Sequence, residues 1–329
     1  MKSSTPAGMS LSKRRFLVMA GSVGALAAFS LGSGRQAQAA KPVLWKGSAL
    51  GAEASIQLFH DDPNWAQQQL LACQREIDRL ENLFSLYRPQ SAVCRLNAEG
   101  KLENPDVDFL ALMSQALSFS KQTDGVFDIT VQPLWRLYAE HFSKPGADPQ
   151  GPTRAHIEET LSLVGSSQIE LTSREVAFRK PGMAVTLNGI AQGYITDRIT
   201  VLLKKAGFEN VLVSLGENYA LGSHPDGSPW RAGISSPEDG KAVLRTVDLI
   251  DKALATSGGY GSPFTSTSSL NHLINPVTGK TAAFNKSVSV IARSAVKADM
   301  ASTALSLMEK SAGEALITSQ QDIQEVIYL

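Results

Sequence analysis

The sequence predicts an α+β fold in which mixed antiparallel sheets carry packed helices. Three observations lead there. Segments such as Ala54-Ser-Ile-Gln-Leu58 alternate apolar and polar residues, and a period of two marks a half-buried strand. Other segments space their apolar residues three and four apart, as at Ala66, Leu70, Cys73, Ile77 and Leu80, which gives a helix one buried face. The two kinds of segment mix without the regular strand–helix–strand rhythm of a parallel sheet.

The chain has 329 residues and 43% hydrophobic content, enough to bury a sizeable core. Its 31 basic residues are matched by 31 acidic ones. That balance excludes the basic excess of a general nucleic-acid surface. Cys73 and Cys94 make neither a CxxC pair nor a zinc pattern. Cys73 falls on an apolar helix face, so a buried free thiol is expected rather than a disulfide.

Residues 1–39 read as a cleaved export signal, separate from the fold. Ser12-Lys-Arg-Arg-Phe-Leu17 precedes an apolar run from Val18 to Leu31, and Ala37-Gln-Ala39 offers small residues to a signal peptidase. Arg14-Arg15 followed by Phe16-Leu17 resembles a twin-arginine signal, with Lys13 where the usual frame has its first arginine. The run is too short and Gly-rich for a stable membrane span. One domain over residues 40–329, working in the periplasm, is the expectation.

Along that domain, Val43 to Leu58 reads as a strand pair around Gly47 and Gly51. Asp62-Pro63 starts a helix, with Asp as cap and Pro at the first helical position. Phe84 to Ser91 reads as loop and turn; Tyr87 there can stack on a flat ring or cap the core. A second helix is predicted over about Asp106 to Lys121, with Phe109, Leu112, Ala116 and Phe119 inward. Asp128 lies between apolar neighbours, so it is either paired in the interior or aimed at a ligand. Residues 142–152 form a surface loop, Thr153 to Val164 a short helix, and Ile169–Leu171 with Val176–Phe178 a hairpin.

Val185-Thr-Leu-Asn-Gly-Ile-Ala-Gln-Gly-Tyr194 is expected to pass from a strand through a small-residue turn into a helix ending near Ala206-Gly207. It is neither a P-loop nor a dinucleotide fingerprint, although such a turn lets backbone groups approach phosphates. Strands follow at Asn210–Leu215, Trp230–Ser235, Val243–Ile250, Ala253–Thr256 and Val288–Ala292. A helix runs from about Lys297 to Glu309, and Asp322–Leu329 closes the chain as a strand.

Asp299 and Thr303 are four apart on that last helix, so their oxygens share a face. A carboxylate and a hydroxyl are hard ligands, suited to a Mg²⁺ that keeps open positions. Singly, each residue here has an ordinary reading: Asp299 as a helix cap, Thr303 as helix surface, His272 as a structural histidine, and Asn275-Pro-Val-Thr-Gly279 as a turn.

Taken together, several motifs resemble the ApbE family of FAD:protein FMN transferases, over Gly47 to about Met308. They are Phe84-Ser-Leu-Tyr-Arg-Pro-Gln-Ser91 with Asn97, Gly125-Val-Phe-Asp-Ile-Thr-Val131, Gly189-Ile-Ala-Gln-Gly-Tyr194 with Asp197, Asn210-Val-Leu-Val-Ser-Leu-Gly216, Ala255-Thr-Ser-Gly258, His272-Leu-Ile-Asn-Pro-Val-Thr-Gly279 and Ala298-Asp-Met-Ala-Ser-Thr303. The resemblance implies a T-fold-related architecture. It implies FAD as substrate, its ring system near Tyr87 and Leu50, with Val126, Phe127, Asp128, Thr186, Gln192 and His272 lining the pocket. It implies Mg²⁺ held by Asp299, Thr303 and the carbonyl of Gly189. FMN would pass to a threonine of a partner flavoprotein, a respiratory electron-transfer protein facing the periplasm, with AMP released. His272 is the candidate base. The chain departs from the usual pattern at Leu50-Gly51-Ala52, Thr186, Gln192, Asn275 and Glu217, the last standing in place of a second glycine after Gly216. Two alternatives stay open: an FAD-binding carrier without transfer, and a pyrophosphatase that splits FAD into FMN and AMP.

Overall fold

The computed structural model describes residues 42–238, 242–265, 270–282 and 287–329; the expected export signal lies outside them. The chain opens with strands β1 (Val43–Ala49) and β2 (Ala52–Leu58). They join through Leu50 and Gly51, both at positive φ (49° and 84°), the backbone of a two-residue hairpin turn. Gly47 is not part of that turn. It sits within β1 opposite Ala54, and the Trp45 ring fills the space a side chain there would take.

Helix α1 (Pro63–Phe84) begins as its sequence requires. Asp62 accepts hydrogen bonds from the Asn64 and Trp65 amides, and Ala66, Leu70, Cys73, Ile77, Leu80 and Phe84 face inward. Helix α2 (Ala92–Glu99), absent from the sequence expectation, is capped by Ser91 and stopped by Gly100 at φ 76°. Strand β3 (Lys101–Glu103) precedes α3 (Val107–Gln122), capped by Asp106. Helix α4 (Gln132–Phe142), also unexpected, carries a proline at its first turn, where the missing N–H costs nothing. Helix α5 (Arg154–Leu161) and the hairpin β4 (Ile169–Leu171) and β5 (Glu175–Phe178) follow.

Val185–Leu187 pairs with no strand among the described residues, contrary to expectation. The Asn97 side chain takes the ladder's place: it accepts from the Val185 N–H at 2.7 Å and donates to the Val185 carbonyl at 2.8 Å. The remaining elements are α6 (Ala191–Lys205), β6 (Val211–Leu215), β7 (Asn218–Leu221), β8 (Trp230–Ser235), β9 (Val243–Leu249), β10 (Lys252–Ser257), β11 (Val288–Ala292), α7 (Ala295–Ser306), α8 (Lys310–Ser319) and β12 (Ile323–Tyr328).

Seven strands form one sheet in the order β1-β2-β6-β7-β10-β11-β12, antiparallel at every pairing. Alternation along its strands divides two cores. Val211, Val213, Leu215, Ala253, Ala255, Val288 and Val290 point into the main core with α1, α6 and α7. Ala220, Leu254, Ile291 and Ile327 point to the other face, where the ribbon β8–β9 lays Trp230, Ile234, Val247 and Leu249 over them. β11 is covered on both faces, which explains its run of buried residues. Among the described residues, no helix is long and apolar enough to cross a membrane. Both cysteines are free, Cys73 buried as expected.

Candidate functional site

Register places several turns at one end of the large sheet. Ala49 pairs with Ala52 across the Leu50-Gly51 turn, and Ala54 pairs with Leu215 at the end of β6. Leu215, Gly216 and Glu217 turn back into β7, whose Asn218 pairs with Leu254. β10 then runs on past Leu254 to Ser257, opposite Val288. Leu50, Glu217 and Ser257 therefore mark one end of neighbouring strands, and α7 lies against β10 and β11 below it.

At that end α6 and α7 meet through glycine. A Cβ on Gly193 would stand 2.5 Å from the Ala295 carbonyl oxygen and 2.7 Å from the Val296 Cα. With no side chain there, the Gly193 N–H reaches Asp299 Oδ2 at 3.0 Å. That bond has a consequence one turn back. In a regular helix this N–H would go to the carbonyl of Gly189. Turned to Asp299, it leaves the Gly189 carbonyl with no donor among the described residues.

Thr303 closes the corner. Its Oγ1 lies 3.0 Å from where a Gly189 Cβ would be and 3.4 Å from Ser257 Oγ. An acid, a hydroxyl and an unused carbonyl thus belong to the segments that meet at this partly buried corner. That is a donor set for a hard cation, which prefers oxygen ligands and keeps waters at its open positions. Burial raises the Asp299 carboxyl above its usual range against the Gly193 hydrogen bond, and the charge of Asp197 adds to the rise. Asp299 does not cap its own helix. Ser294 does, by accepting from the Lys297 amide, and Asp197 accepts from the Ala295 and Val296 amides at 2.7 and 3.0 Å.

Other residues singled out in the sequence surround this corner. Phe127 is buried, edge-on to Phe119, with its ring 3.5 Å from the Gly189 Cβ position. Beside partly exposed Val126, Gly125 lies against Val277 of the Asn275–Gly279 turn. Gln192 lies over Gly216, whose absent side chain would overlap it at 2.4 Å. Thr186 donates its amide to the Ile129 carbonyl, and its hydroxyl accepts from the Asn188 amide. Of the two readings for Asp128, the interior one describes its side chain. Oδ1 accepts from the Thr130 amide and hydroxyl, and Oδ2 from the Ser166 amide and the Ser120 hydroxyl.

Tyr87 stands apart from the buried corner. It is half exposed and lies beside Gly51 at 3.7 Å, at the same end of the sheet. Leu50 is buried, its amide held by the Glu81 carboxylate at 2.6 Å. His272 follows Asn271, which packs on Gly259 just beyond Ser257. Its Nδ1 is buried without a partner among the described residues. Burial pushes its imidazole down to about 4, against a hydrogen bond to Ser262, so the ring is neutral at pH 7.

Two residues of this region lacked a role in the sequence reading. Asp197 appeared only within a motif, yet it fixes the start of α7; its acidic side chain just past the Gly-rich turn was the visible signal. Glu217 is a departure from the family pattern to which the sequence assigns no role. It is buried, and burial with the neighbouring charge of Asp299 raises its carboxyl well above the ordinary range, against a hydrogen bond from the Thr256 amide.

Fold and site define a class, an α+β enzyme with an oxygen-lined corner between a sheet end and two helices. The chain belongs to the ApbE family, whose model matches residues 50–327. It is 29% identical over 294 residues to an FAD:protein FMN transferase of Vibrio cholerae, covering 86% of each chain. It is 31% identical over 245 residues to one of Escherichia coli K12, covering 71% of this chain and 69% of that protein. Among solved structures, the ApbE protein of Thermotoga maritima superposes with a TM-score of 0.77 at 27% identity, over 88% of this chain and 94% of that one.

Proposed function

We propose that this protein transfers FMN from FAD to a threonine hydroxyl of an exported redox flavoprotein, releasing AMP, in a Mg²⁺-dependent reaction in the periplasm. The family and the names of the similar proteins support the transfer itself. The observation that carries the cation is the diversion of the Gly193 N–H to Asp299, which leaves the Gly189 carbonyl free beside Thr303. Asp299, Thr303 and Gly189 would hold Mg²⁺, which when bound neutralises charge developing on the phosphates.

The chain's own residues supply the rest. Tyr87, exposed at the sheet end, offers a face for a flat ring, and Phe127, Val126, Thr186 and Gln192 line the way to the corner. His272, neutral at pH 7, accepts the proton of the threonine hydroxyl. The threonine oxygen bonds to the phosphorus of the FMN half, and the bond from that phosphorus to the bridging oxygen breaks. Its electron pair leaves with AMP.

The test incubates the protein with FAD, Mg²⁺ and an acceptor domain carrying a flavinylation threonine. The reading expects acceptor mass to rise by one FMN group with one AMP released. AMP and free FMN with an unlabelled acceptor would instead establish hydrolysis. Bound FAD that never turns over would establish a carrier.

A further inference from the structure

Helix α4 grips the segment that carries His272. Trp135, Tyr138 and Phe142 stand three and four residues apart along it, so their rings share one face. Phe264 lies on that face. Its ring stacks on Tyr138 at 5.5 Å between centroids and on Phe142 at 5.7 Å, and it is tilted against Trp135 at 6.3 Å. Phe264 belongs to the chain paired with the His272 segment. Its amide donates to the Leu270 carbonyl at 3.1 Å, and the His272 amide donates to the Ser262 carbonyl at 3.2 Å.

The far flank of His272 returns to the same helix. Beyond the Asn275–Gly279 turn, the Ala282 amide donates to the Leu273 carbonyl at 2.7 Å. The Tyr138 hydroxyl donates to the Gly279 carbonyl at 3.0 Å. Ile274, two residues past His272, is buried in one small core with Tyr138 and Leu134. Tyr138, itself buried, therefore meets the chain before His272 with its ring and the turn after it with its hydroxyl.

We propose that Tyr138 is a positioning residue for His272: clamped to Phe264 on one flank and to Gly279 on the other, it fixes the buried imidazole in place and keeps water from it. The inference rests on the proposed function, because it takes His272 as the group that accepts the threonine proton. A general base has two requirements that such a clamp serves. Its nitrogen must stand within hydrogen-bond reach of the proton it takes, and a misplacement of about 1 Å can cost about 100-fold in rate. It must also be unprotonated. Burial keeps this ring neutral, opposed by a hydrogen bond to Ser262, and no charged side chain is among the influences on it. A looser clamp admits water and removes that burial, so the ring takes up a proton at higher pH.

The experiment compares wild type, Tyr138→Leu, Phe264→Leu and His272→Ala, each checked for folding by circular dichroism. Phe264 is only partly buried, so Phe264→Leu opens the same clamp if Tyr138→Leu fails to fold. Proton NMR follows the imidazole signals of the five histidines through a pH titration, and the signal missing from His272→Ala identifies His272. AMP release with FAD and an acceptor domain is measured over the same pH range. The proposal expects His272 to titrate near 4 in wild type and to move up toward the ordinary value of about 6.5 in both clamp variants. The acid limb of the transfer rate moves up with it. The rate at neutral pH falls by about 10–100-fold, while the KM for FAD stays as in wild type. Adding Tyr138→Leu to His272→Ala slows the reaction no further, because the two act as one unit. A folded clamp variant whose His272 titration and acid limb match wild type overturns the proposal, and so does further slowing in the double variant. Full activity in His272→Ala instead removes the base role on which the inference rests.

Discussion

Gly193→Ala sets two effects of opposite sign against each other. Within α6, replacing glycine by alanine favours the helix by about 1 kcal/mol through propensity. Against that, the new methyl would stand 2.5 Å from the Ala295 carbonyl oxygen and 2.7 Å from the Ala295 carbon and the Val296 Cα, where ordinary contacts begin at 3.4 Å. All three atoms are backbone at the start of α7, so no rotamer change relieves the overlap. Overpacking of this kind costs about 1–3 kcal/mol, and the rigid partner puts this site at the upper end. The net result is a loss of about 1–2 kcal/mol, or roughly 2–8 °C in melting temperature for a domain of this size. The same displacement stretches the 3.0 Å bond from Gly193 to Asp299, so cation affinity falls as well. Thermal melts with and without Mg²⁺ measure both effects. A Gly193→Ala protein that melts at or above wild type would refute the close-packing argument.

Three other expectations follow from the same geometry. His272→Ala should leave FAD bound while AMP release slows by about 10²–10⁴-fold; an undiminished rate removes His272 from the mechanism. Asn97→Ala strands the Val185 N–H and carbonyl and should cost about 2–4 kcal/mol in urea unfolding, whereas a loss near zero would mean that water replaces the amide. At Asp108, burial is outweighed by hydrogen bonds from Tyr194 and Arg79 and by the charge of Arg198, which hold the carboxyl below its usual range. A depressed folded-state value means that this stabilisation is present above the unfolded value of about 4 and is lost as pH falls below it. Asp108→Asn should therefore flatten the acid limb of the stability profile; an unchanged limb would show that other carboxylates set it.

The helices with strong local signals were legible before the structure. Asp62-Pro63 and Asp106 start α1 and α3 where capping chemistry says they should. The misses were short or depended on distant partners. α2 spans eight residues, too few for periodicity to stand out. α4 spans eleven residues and carries its proline in the first turn. Val185–Leu187 has the composition of a strand, but its partner is one asparagine 88 residues earlier, which no local pattern encodes. The same division holds at the site. The four-residue spacing of Asp299 and Thr303 is legible in the sequence, because residues one turn apart share a helix face. The freed Gly189 carbonyl and the burial of Glu217 arise from how α6, α7 and the β6–β7 turn meet, and that meeting is tertiary.

Anomalous diffraction from crystals soaked in Mn²⁺ tests the cation corner most directly. The account predicts a peak about 2.0–2.3 Å from an Asp299 carboxylate oxygen, Thr303 Oγ1 and the Gly189 carbonyl oxygen. A peak elsewhere in the molecule, with these three oxygens bare, would contradict it.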